Sequence, residues 1–173
     1  MSQVFVSGHK SPDTDSIAAA LSYSYLKRRL GMDAVAVRAG EINKESRFAL
    51  DYFNREEPIL VTSVERKNPE DEKQKVILVD HNESKQTIDG MDDAEVLEII
   101  DHHRFGDFES ENPIFILVRP VGCVNTVIYG LYKTNHIKPS REIAGIMLSA
   151  IISDTVLFRS PTTTEEDKET AKE

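Results

Sequence analysis

The sequence is poor in cysteine and lacks long apolar runs. Its 173 residues include one cysteine, Cys123, so an intrachain disulfide or a cysteine-rich metal cluster is excluded. This favours a reducing, cytoplasmic setting. No apolar run approaches the roughly 20 residues that span a bilayer, and none near the start has signal-peptide form. The sequence therefore predicts a soluble protein with no membrane partner.

Basic and aromatic residues are also scarce. Lysine and arginine number 21 against 30 aspartates and glutamates, the net charge is −9, and aromatic residues make up 7%. An electropositive groove for a nucleic-acid backbone and a platform for stacked bases are both disfavoured. We expect no nucleic-acid partner. An anionic substrate would need bound divalent cations to draw it in.

Short apolar segments rich in valine, isoleucine and leucine alternate with helix-like segments. The predicted strands lie at 3–8, 33–40, 57–63, 75–82, 95–103 and 114–120. The predicted helices lie at 15–31, 43–54, 123–135 and 141–152. This order predicts one α/β domain with a doubly wound, mainly parallel sheet and helices on both faces.

Two charged segments lie outside this alternation. Residues 65–75 are read as an exposed loop between two strands. Near the end, Thr163 and Glu166 have the spacing of a capping box, which predicts a helix start. Only Ala171 of that helix could face a core, so we expect the sequence to be part of a longer protein.

A histidine and two aspartates follow the first predicted strand within seven residues. Pro12 disfavours a helical conformation at the residue before it, so His9, Asp13 and Asp15 are predicted to lie on a loop. Loops at the carboxyl ends of strands are where open α/β sheets bind ligands. The alternative is that Asp13 or Asp15 caps the next helix and that His9 is an ordinary loop residue.

Similar clusters follow other apolar runs: Asp80, the "DHH" of 101–103 and Asp154. Unpaired carboxylates are costly to bury, and if these groups converge they repel one another and raise each other's pKa. Divalent cations resolve that conflict. Two ions balance the four aspartates of the set, which are Asp13, Asp15, Asp80 and Asp154.

The types of ligand narrow the choice of metal ion and of reaction. Mixed carboxylates and imidazoles without thiolate favour manganese, or cobalt or iron, over a structural zinc site. Two such ions about 3.5–4 Å apart can hold a bridging hydroxide in line with a phosphorus atom. The pattern therefore predicts metal-assisted phosphoryl hydrolysis.

Five ordered motifs carry a family resemblance: "GHKSPDTDS", "VILVDHNE", "IIDHHR", "RPVGC" and "LSAIISDTVLFRSPT". With them the sequence resembles the N-terminal catalytic domain of family II, manganese-dependent inorganic pyrophosphatases of the DHH phosphoesterase superfamily. The resemblance spans Val4 to Thr164. It implies hydrolysis of pyrophosphate to two phosphates by a water that bridges two metal ions.

The resemblance also implies roles for single residues. The six implied metal ligands are His9 and Asp13 for one ion, Asp15, His102 and Asp154 for the other, and Asp80 for both. The ions would be Mn2+, with Co2+ possible, and Mg2+ would accompany the substrate. His103 would contact a phosphate or pass a proton, so His103 and Asp80 are the implied catalytic residues.

Further implications concern the organisation of the protein. Residues 1–164 would be the catalytic domain, and 165–173 would begin the linker to a C-terminal domain that grips the substrate. Because that domain is absent from the sequence, we expect weak or no turnover by this chain alone. A homodimer through this domain is implied. The shortness of 65–75 predicts no regulation by adenine nucleotides.

Other polar residues have two interpretations each. Asp101 orients a histidine or only ends a strand, and Asn82 and Glu83 support the site or form a polar turn. Cys123 is read as a buried small residue, and the other two histidines, His81 and His136, as surface or loop groups. "SPTTT" favours helix capping over a phosphate-binding turn.

Two other functions remain open from the sequence. One is a DHH phosphodiesterase that acts on short oligonucleotides or cyclic dinucleotides. The other is a metal-loaded domain without catalysis, retained for assembly or regulation. The filled set of six ligand positions disfavours the second.

Overall fold

All six predicted strands are present and pair in parallel in one sheet. The structure, a computed structural model, describes residues 3–173. The strands are β1 (Val4–Ser7), β2 (Ala34–Arg38), β3 (Ile59–Leu60), β4 (Lys75–Val79), β5 (Glu95–Asp101) and β6 (Phe115–Val118). Their order is β3-β2-β1-β4-β5-β6, so the direction of winding reverses between β1 and β4. The doubly wound fold is confirmed.

Five α-helices accompany the sheet in the described residues. They are α1 (Thr14–Arg29), α2 (Lys44–Tyr52), α3 (Val124–Thr134), α4 (Arg141–Asp154) and α5 (Glu165–Lys172). Gly31 follows α1 with a φ of +90°, a left-handed conformation that costs glycine little, and the helix ends there as predicted. Among these described residues no helix has the length and apolarity that crossing a membrane requires.

The two faces of the sheet are covered differently. On one face, Val6 and Ile77 pack against the α-helices, and the buried Ala18–Ala20 segment of α1 brings that helix close to the strands. On the other face, Leu78 packs against Ile88 and its neighbours. The helices on that second face are two 3-10 turns, Ser84–Gln86 and Met91–Asp93. The segment 65–75 is largely exposed, as predicted.

The last helix begins one residue later than its sequence suggested. Its N-cap is Thr164, and the capping box pairs Thr164 with Asp167, so the predicted pairing of Thr163 with Glu166 was wrong. Asp167 and not Glu166 forms the capping box, because the carboxylate of Asp167 also accepts hydrogen bonds from Gly122 and Thr126 in the core. Ala171 does pack on the main core, as predicted. The favoured role of "SPTTT" in helix capping is confirmed.

Parallel pairing brings the polar strand ends together. Because β1, β4 and β5 are neighbours, the residues that follow β1 and β4 and those at the end of β5 share one edge of the sheet. That edge carries His9, Asp80 and the "DHH" segment. The fold therefore assembles the candidate site from segments far apart in sequence.

Candidate metal centre

The first polar segment is a loop that turns directly into α1. Asp13 is the N-cap, and its Oδ1 accepts a hydrogen bond of 2.9 Å from the backbone N–H of Ser16. Asp15 lies in the first helical turn, so placing it on the loop was wrong: Pro12 restricts only the residue before it, and Asp13 starts the helix at once. Capping and site formation coexist, because Asp13 Oδ1 also lies 3.6 Å from His9 Nε2.

Asp80 lies at the centre of the cluster. It follows β4 with a φ of +63°, a left-handed conformation that aspartate tolerates better than most residues. Its Oδ2 lies 3.4 Å from Nε2 of His9, and its Oδ1 lies 3.2 Å from Nε2 of His102. Both oxygens are buried and lack a hydrogen-bond partner among the described residues. Burial, and then the charge of Asp15, raise the pKa of the Asp80 carboxyl.

His102 is oriented with its Nε2 toward the cluster. Its Nδ1 lies 3.0 Å from the carbonyl oxygen of Val121, which fixes the proton on Nδ1 and leaves Nε2 free as a ligand. Nε2 lies 3.6 Å from Oδ2 of Asp15 and 4.0 Å from Oδ2 of Asp154. Burial lowers the pKa of His102, but the nearby carboxylate of Asp80 and the charge of Asp15 outweigh it and raise that pKa to about 9.

His9 behaves in the same way on the other side of Asp80. Burial lowers the pKa of His9, but the carboxylates of Asp13 and Asp80, which lie 3.6 Å and 3.4 Å from its Nε2, raise that pKa to about 10. In the absence of a cation, these protonated imidazoles are the positive charges that face the carboxylates of the cluster. A divalent cation would take over that role with neutral imidazoles as ligands.

Asp15 is held by the start of α3, which sequence reasoning missed. Its Oδ2 accepts 2.7 Å from the N–H of Val124, and its Oδ1 accepts 2.6 Å from Nδ2 of Asn125 and 2.9 Å from Sγ of Cys123. A helix N-terminus favours negative charge, which explains a carboxylate with no solvent exposure. Cys123 is buried, as predicted, and burial with the charge of Asp15 raises its thiol pKa.

Asp154 closes this side of the cluster at the end of α4. Burial, followed by the charge of Asp15, raises its pKa to about 11, so it is protonated in the absence of a cation. The next residues form an unusual left-handed turn, with φ values of 50°, 54° and 62° at Val156, Leu157 and Phe158. Such backbone is strained for non-glycine residues and concentrates at functional sites.

Asp101 contacts the ring of the second histidine of "DHH", whereas it meets the first only at its backbone N–H. Its Oδ1 lies 2.8 Å from Nδ1 of His103, and its Oδ2 accepts 2.6 Å from Nδ2 of Asn82. The hydrogen bond to Asp101 raises the pKa of His103, whose side chain is about half exposed (54%). Asn82 is buried and supports Asp101, whereas Glu83 pairs with exposed Arg104.

His81 was predicted to be a surface or loop group, and it lies on the loop after β4, but it is not a surface group. It is 2% exposed, its Nδ1 lies 2.9 Å from the carbonyl oxygen of Val79, and burial lowers its pKa to about 4. Asp80, which precedes it, has left-handed backbone, and the ring of His81 returns to the carbonyl of Val79 at the end of β4. His136 is exposed, as predicted.

The predicted ligands form two groups that meet at Asp80. His9, Asp13 and Asp80 gather on one side, within 4.8 Å of one another. On the other side Asp15 and Asp154 gather with Cys123. The thiol of Cys123 donates a hydrogen bond to Asp15. The third ligand atom on this side is therefore Nε2 of His102 and not the sulfur of Cys123. Ligand atoms about 2.1 Å from an ion lie about 3–4 Å apart, so these separations and the bare oxygens of Asp80 fit two divalent cations.

A small cavity opens beside His103. Its volume is about 220 Å³, and it is lined by His81, Asn82, Glu83, Gln86, His103 and Arg104. A larger groove of about 680 Å³ lies between residues 84–97 and 107–114. Only the small cavity adjoins the cluster, so it is the candidate place for a substrate anion.

Comparison with known proteins supports the reading of the motifs. Residues 3–151 match the model of the DHH family, N-terminal domain. A probable manganese-dependent inorganic pyrophosphatase of Bacillus licheniformis is 53% identical over 173 residues, and a manganese-dependent inorganic pyrophosphatase of Bacillus subtilis is 47% identical. Each match covers 100% of the chain and 54% of the relative, so the chain spans about half their length.

Solved structures give the same picture. A Methanococcus jannaschii protein, described as a candidate family II inorganic pyrophosphatase, superposes with a TM-score of 0.87 at 42% identity. The match covers 98% of this chain and 54% of that one. An exopolyphosphatase-related protein from Bacteroides fragilis, at 18% identity and a TM-score of 0.70, shares the fold over 98% of this chain and 51% of its own.

Proposed function

The chain belongs to the DHH family, whose N-terminal domain it matches, and from this premise we propose that it is the metal-binding half of a manganese-dependent inorganic pyrophosphatase. Relatives about 50% identical to it carry that name. The observation that carries the proposal is the pair of buried, unpartnered oxygens of Asp80, each facing a different histidine among the described residues.

Two manganese ions are the proposed cofactors, with cobalt as a substitute. His9 and Asp13 would hold one ion, Asp15, His102 and Asp154 would hold the other, and Asp80 would serve both. The ions, when bound, would supply the Lewis acidity that activates water as the nucleophile and neutralises charge on pyrophosphate, and magnesium would accompany the substrate.

His103 is the proposed substrate contact. Asp101 holds a proton on Nδ1 of His103 and raises the pKa of the ring, which favours its protonated form, and that form can donate from Nε2 to a phosphate oxygen. The cavity beside the ring, which also carries Arg104, gives the anion a place to lie. His103 can then neutralise charge or pass a proton as the bond to the leaving phosphate breaks.

We further propose that these 173 residues alone turn over pyrophosphate weakly or not at all. The cluster consists of carboxylates and imidazoles. Two divalent ions only balance the charges of its four aspartates, so little net positive charge remains to hold the negative charges of pyrophosphate. Lysine and arginine side chains from outside this chain would complete the grip on the substrate.

A direct assay tests the reaction. The purified chain, loaded with Mn2+ and Mg2+, is incubated at high protein concentration with pyrophosphate or with a dinucleotide. We expect slow, metal-dependent release of phosphate from pyrophosphate at most, and no mononucleotide. Release of mononucleotide would favour the phosphodiesterase alternative. Turnover at a rate typical of enzymes, about 10 s⁻¹, would contradict the proposed need for further basic groups.

The other expectations from the sequence stay predictions. They are the boundaries 1–164 and 165–173, the homodimer, the cytoplasmic location, and the absence of nucleic-acid and adenine-nucleotide partners. Residues 1 and 2 of the first range lie outside the described residues.

A further inference from the structure

The last helix is anchored by a buried carboxylate. Asp167 in α5 has no solvent exposure, although most of the helix is polar. Its Oδ2 accepts 2.8 Å from the N–H of Gly122 and 2.7 Å from the N–H of Thr164, and its Oδ1 accepts 2.6 Å from Oγ1 of Thr126. Donors from three residues thus converge on one carboxylate that lies outside the metal centre.

The segment that Asp167 holds is the turn 121–125, which enters α3. This turn serves the metal centre at both ends. Its first carbonyl, from Val121, fixes the ring of His102, and its last residues, Cys123 to Asn125, donate to the carboxylate of Asp15. A shift of the turn would therefore move two of the proposed ligands together.

The third ligand of the same ion also adjoins this turn. A Cβ at Gly122 would lie 2.8 Å from Oδ2 of Asp167 and 3.0 Å from Cγ2 of Thr155, the residue that follows Asp154. Glycine is required there because the carboxylate and the threonine leave no room for a side chain. Asp167, the turn and the end of α4 are thus packed as one unit.

The other group of ligands has a different support. The N–H of His9 donates 3.0 Å to Oγ of Ser16, and the N–H of Ser16 donates 2.9 Å to Oδ1 of Asp13. These contacts lie within the start of α1. The two proposed metal sites therefore share Asp80 and the start of α1, which also carries Asp15, and only the site of Asp15, His102 and Asp154 rests in addition on the turn 121–125.

We propose that Asp167 is a positioning residue for one of the two metal sites. It fixes the turn 121–125 and, through it, the geometry of Asp15, His102 and Asp154, and it leaves the site of His9 and Asp13 unaffected. The inference rests on the proposed function, because it presupposes two bound ions.

Manganese binding to the chain tests this selectivity. Wild type, Asp167→Ala, Asp167→Asn and the control Glu166→Gln are titrated with Mn2+ and followed by electron paramagnetic resonance. Asp167→Ala should keep one site and weaken the other by about tenfold or more, the usual effect of losing an outer partner of a ligand. Asp167→Asn keeps the shape of the side chain and can still accept a hydrogen bond from the N–H of Gly122, so its loss of Mn2+ affinity should be smaller.

Glu166→Gln is matched because it lies beside Asp167 on α5 and forms only an exposed ion pair with Arg119. Glu166→Gln should bind Mn2+ as wild type does. Equal weakening of both sites in Asp167→Ala, or no weakening, overturns the proposal. Fewer than two sites in wild type would instead overturn the proposed function, and the inference with it.

A second readout needs neither metal nor activity. Cys123 is the single cysteine of the sequence, lies in the turn and is buried, so its rate of alkylation reports opening of the turn. Metal-free Asp167→Ala should be alkylated about tenfold faster than wild type and Glu166→Gln, because the lost hydrogen bonds no longer close the turn. Unchanged alkylation overturns the proposal.

The two readouts together separate positioning from mere stability. Faster alkylation with both metal sites intact would show a purely structural role and overturn the proposal. If Asp167→Ala does not fold, as judged by circular dichroism, the same measurements on Asp167→Asn decide. A smaller effect of the same sign supports the inference, and wild-type behaviour in both measurements overturns it.

Discussion

Nε2 of His102 lies 3.2 Å from Oδ1 of Asp80, although the residues belong to different polar segments. The sheet creates this contact, because β4 and β5 are parallel neighbours and the N–H of Asp80 donates 2.9 Å to the carbonyl oxygen of Ile100. The position of Asp80 is therefore set by backbone pairing, before any cation binds. A site built this way is preorganised. Without a cation, the burial of the Asp80 carboxyl destabilises the protein.

The first prediction concerns this destabilisation. Asp80→Asn should not lower the free energy of unfolding of the metal-free chain, because burial and the charge of Asp15 disfavour the ionised form of the Asp80 carboxyl. Asparagine also tolerates the left-handed backbone at this position. The same variant should lose the stabilisation that Mn2+ gives to wild type. Urea unfolding with and without Mn2+ measures both effects.

Asp92→Asn is the control for this substitution, since Asp92 is exposed and lies away from the cluster. It should unfold as wild type does and keep its response to Mn2+. A metal-free Asp80→Asn that is less stable than wild type would show that Asp80 holds the fold together, against the proposed role.

Much of the site was predictable from the sequence because it lies at strand ends. A polar residue directly after a buried parallel strand must reach the carboxyl edge of the sheet, which placed His9, Asp80 and His102 together. The division of these residues between two ions comes from the family resemblance and stays a prediction. Apolar periodicity also located every strand and the helices α1 to α4 within a few residues.

The polar contacts between distant segments could not be predicted. Asn125 donates to Asp15 across 110 residues, and Asp167 accepts from Gly122 across 45, and neither pair leaves a periodic signal. The burial of His81 depends on the left-handed backbone at Asp80, and no glycine beside Asp80 indicates that conformation in the sequence. Such contacts depend on tertiary packing and appear only when the fold is known.

The second prediction is that metal binding releases protons. The pKa values of His9 and His102, about 10 and 9 without metal, keep both rings protonated at pH 7.5, whereas a metal ligand must be neutral. Binding of Mn2+ should therefore release protons and strengthen as the pH rises toward 9. Calorimetry in buffers of different ionisation enthalpy measures the number released. An enthalpy that does not depend on the buffer would contradict these pKa shifts.

A third prediction separates Asp101 from the metal ligands. Asp101→Asn should lower the pKa of His103 toward its ordinary value of 6.5, because the hydrogen bond to Asp101 is what raises it. Binding of Mn2+ should change little, while any phosphate release from pyrophosphate should fall by about a hundredfold, the typical effect of losing a proton donor. Histidine NMR titration gives the pKa directly.

The matched control here is Asp107→Asn, since Asp107 is an exposed partner of Ser84 outside the cluster. It should leave the titration of His103 unchanged. If Asp101→Asn also abolishes Mn2+ binding, Asp101 belongs with the groups that hold the ions, and its assignment to His103 alone is wrong.

A fourth prediction compares one substitution at two positions on either side of the start of α3. Gly122→Ala should destabilise the chain by about 1–3 kcal/mol, because the new Cβ would meet Asp167 and Thr155. Gly130→Ala, within α3, meets nothing within 4 Å and should stabilise by about 0.5–1 kcal/mol. Urea unfolding measures both, and equal effects would contradict the packing at Gly122.

The central claim is that Asp80 joins two metal sites, and anomalous scattering from crystals grown with Mn2+ tests it most directly. Two peaks of manganese should flank Asp80, about 3.5–4 Å apart, one beside His9 and Asp13 and the other beside Asp15 and His102. A single peak, or zinc bound in preference to manganese, would contradict the two-metal account.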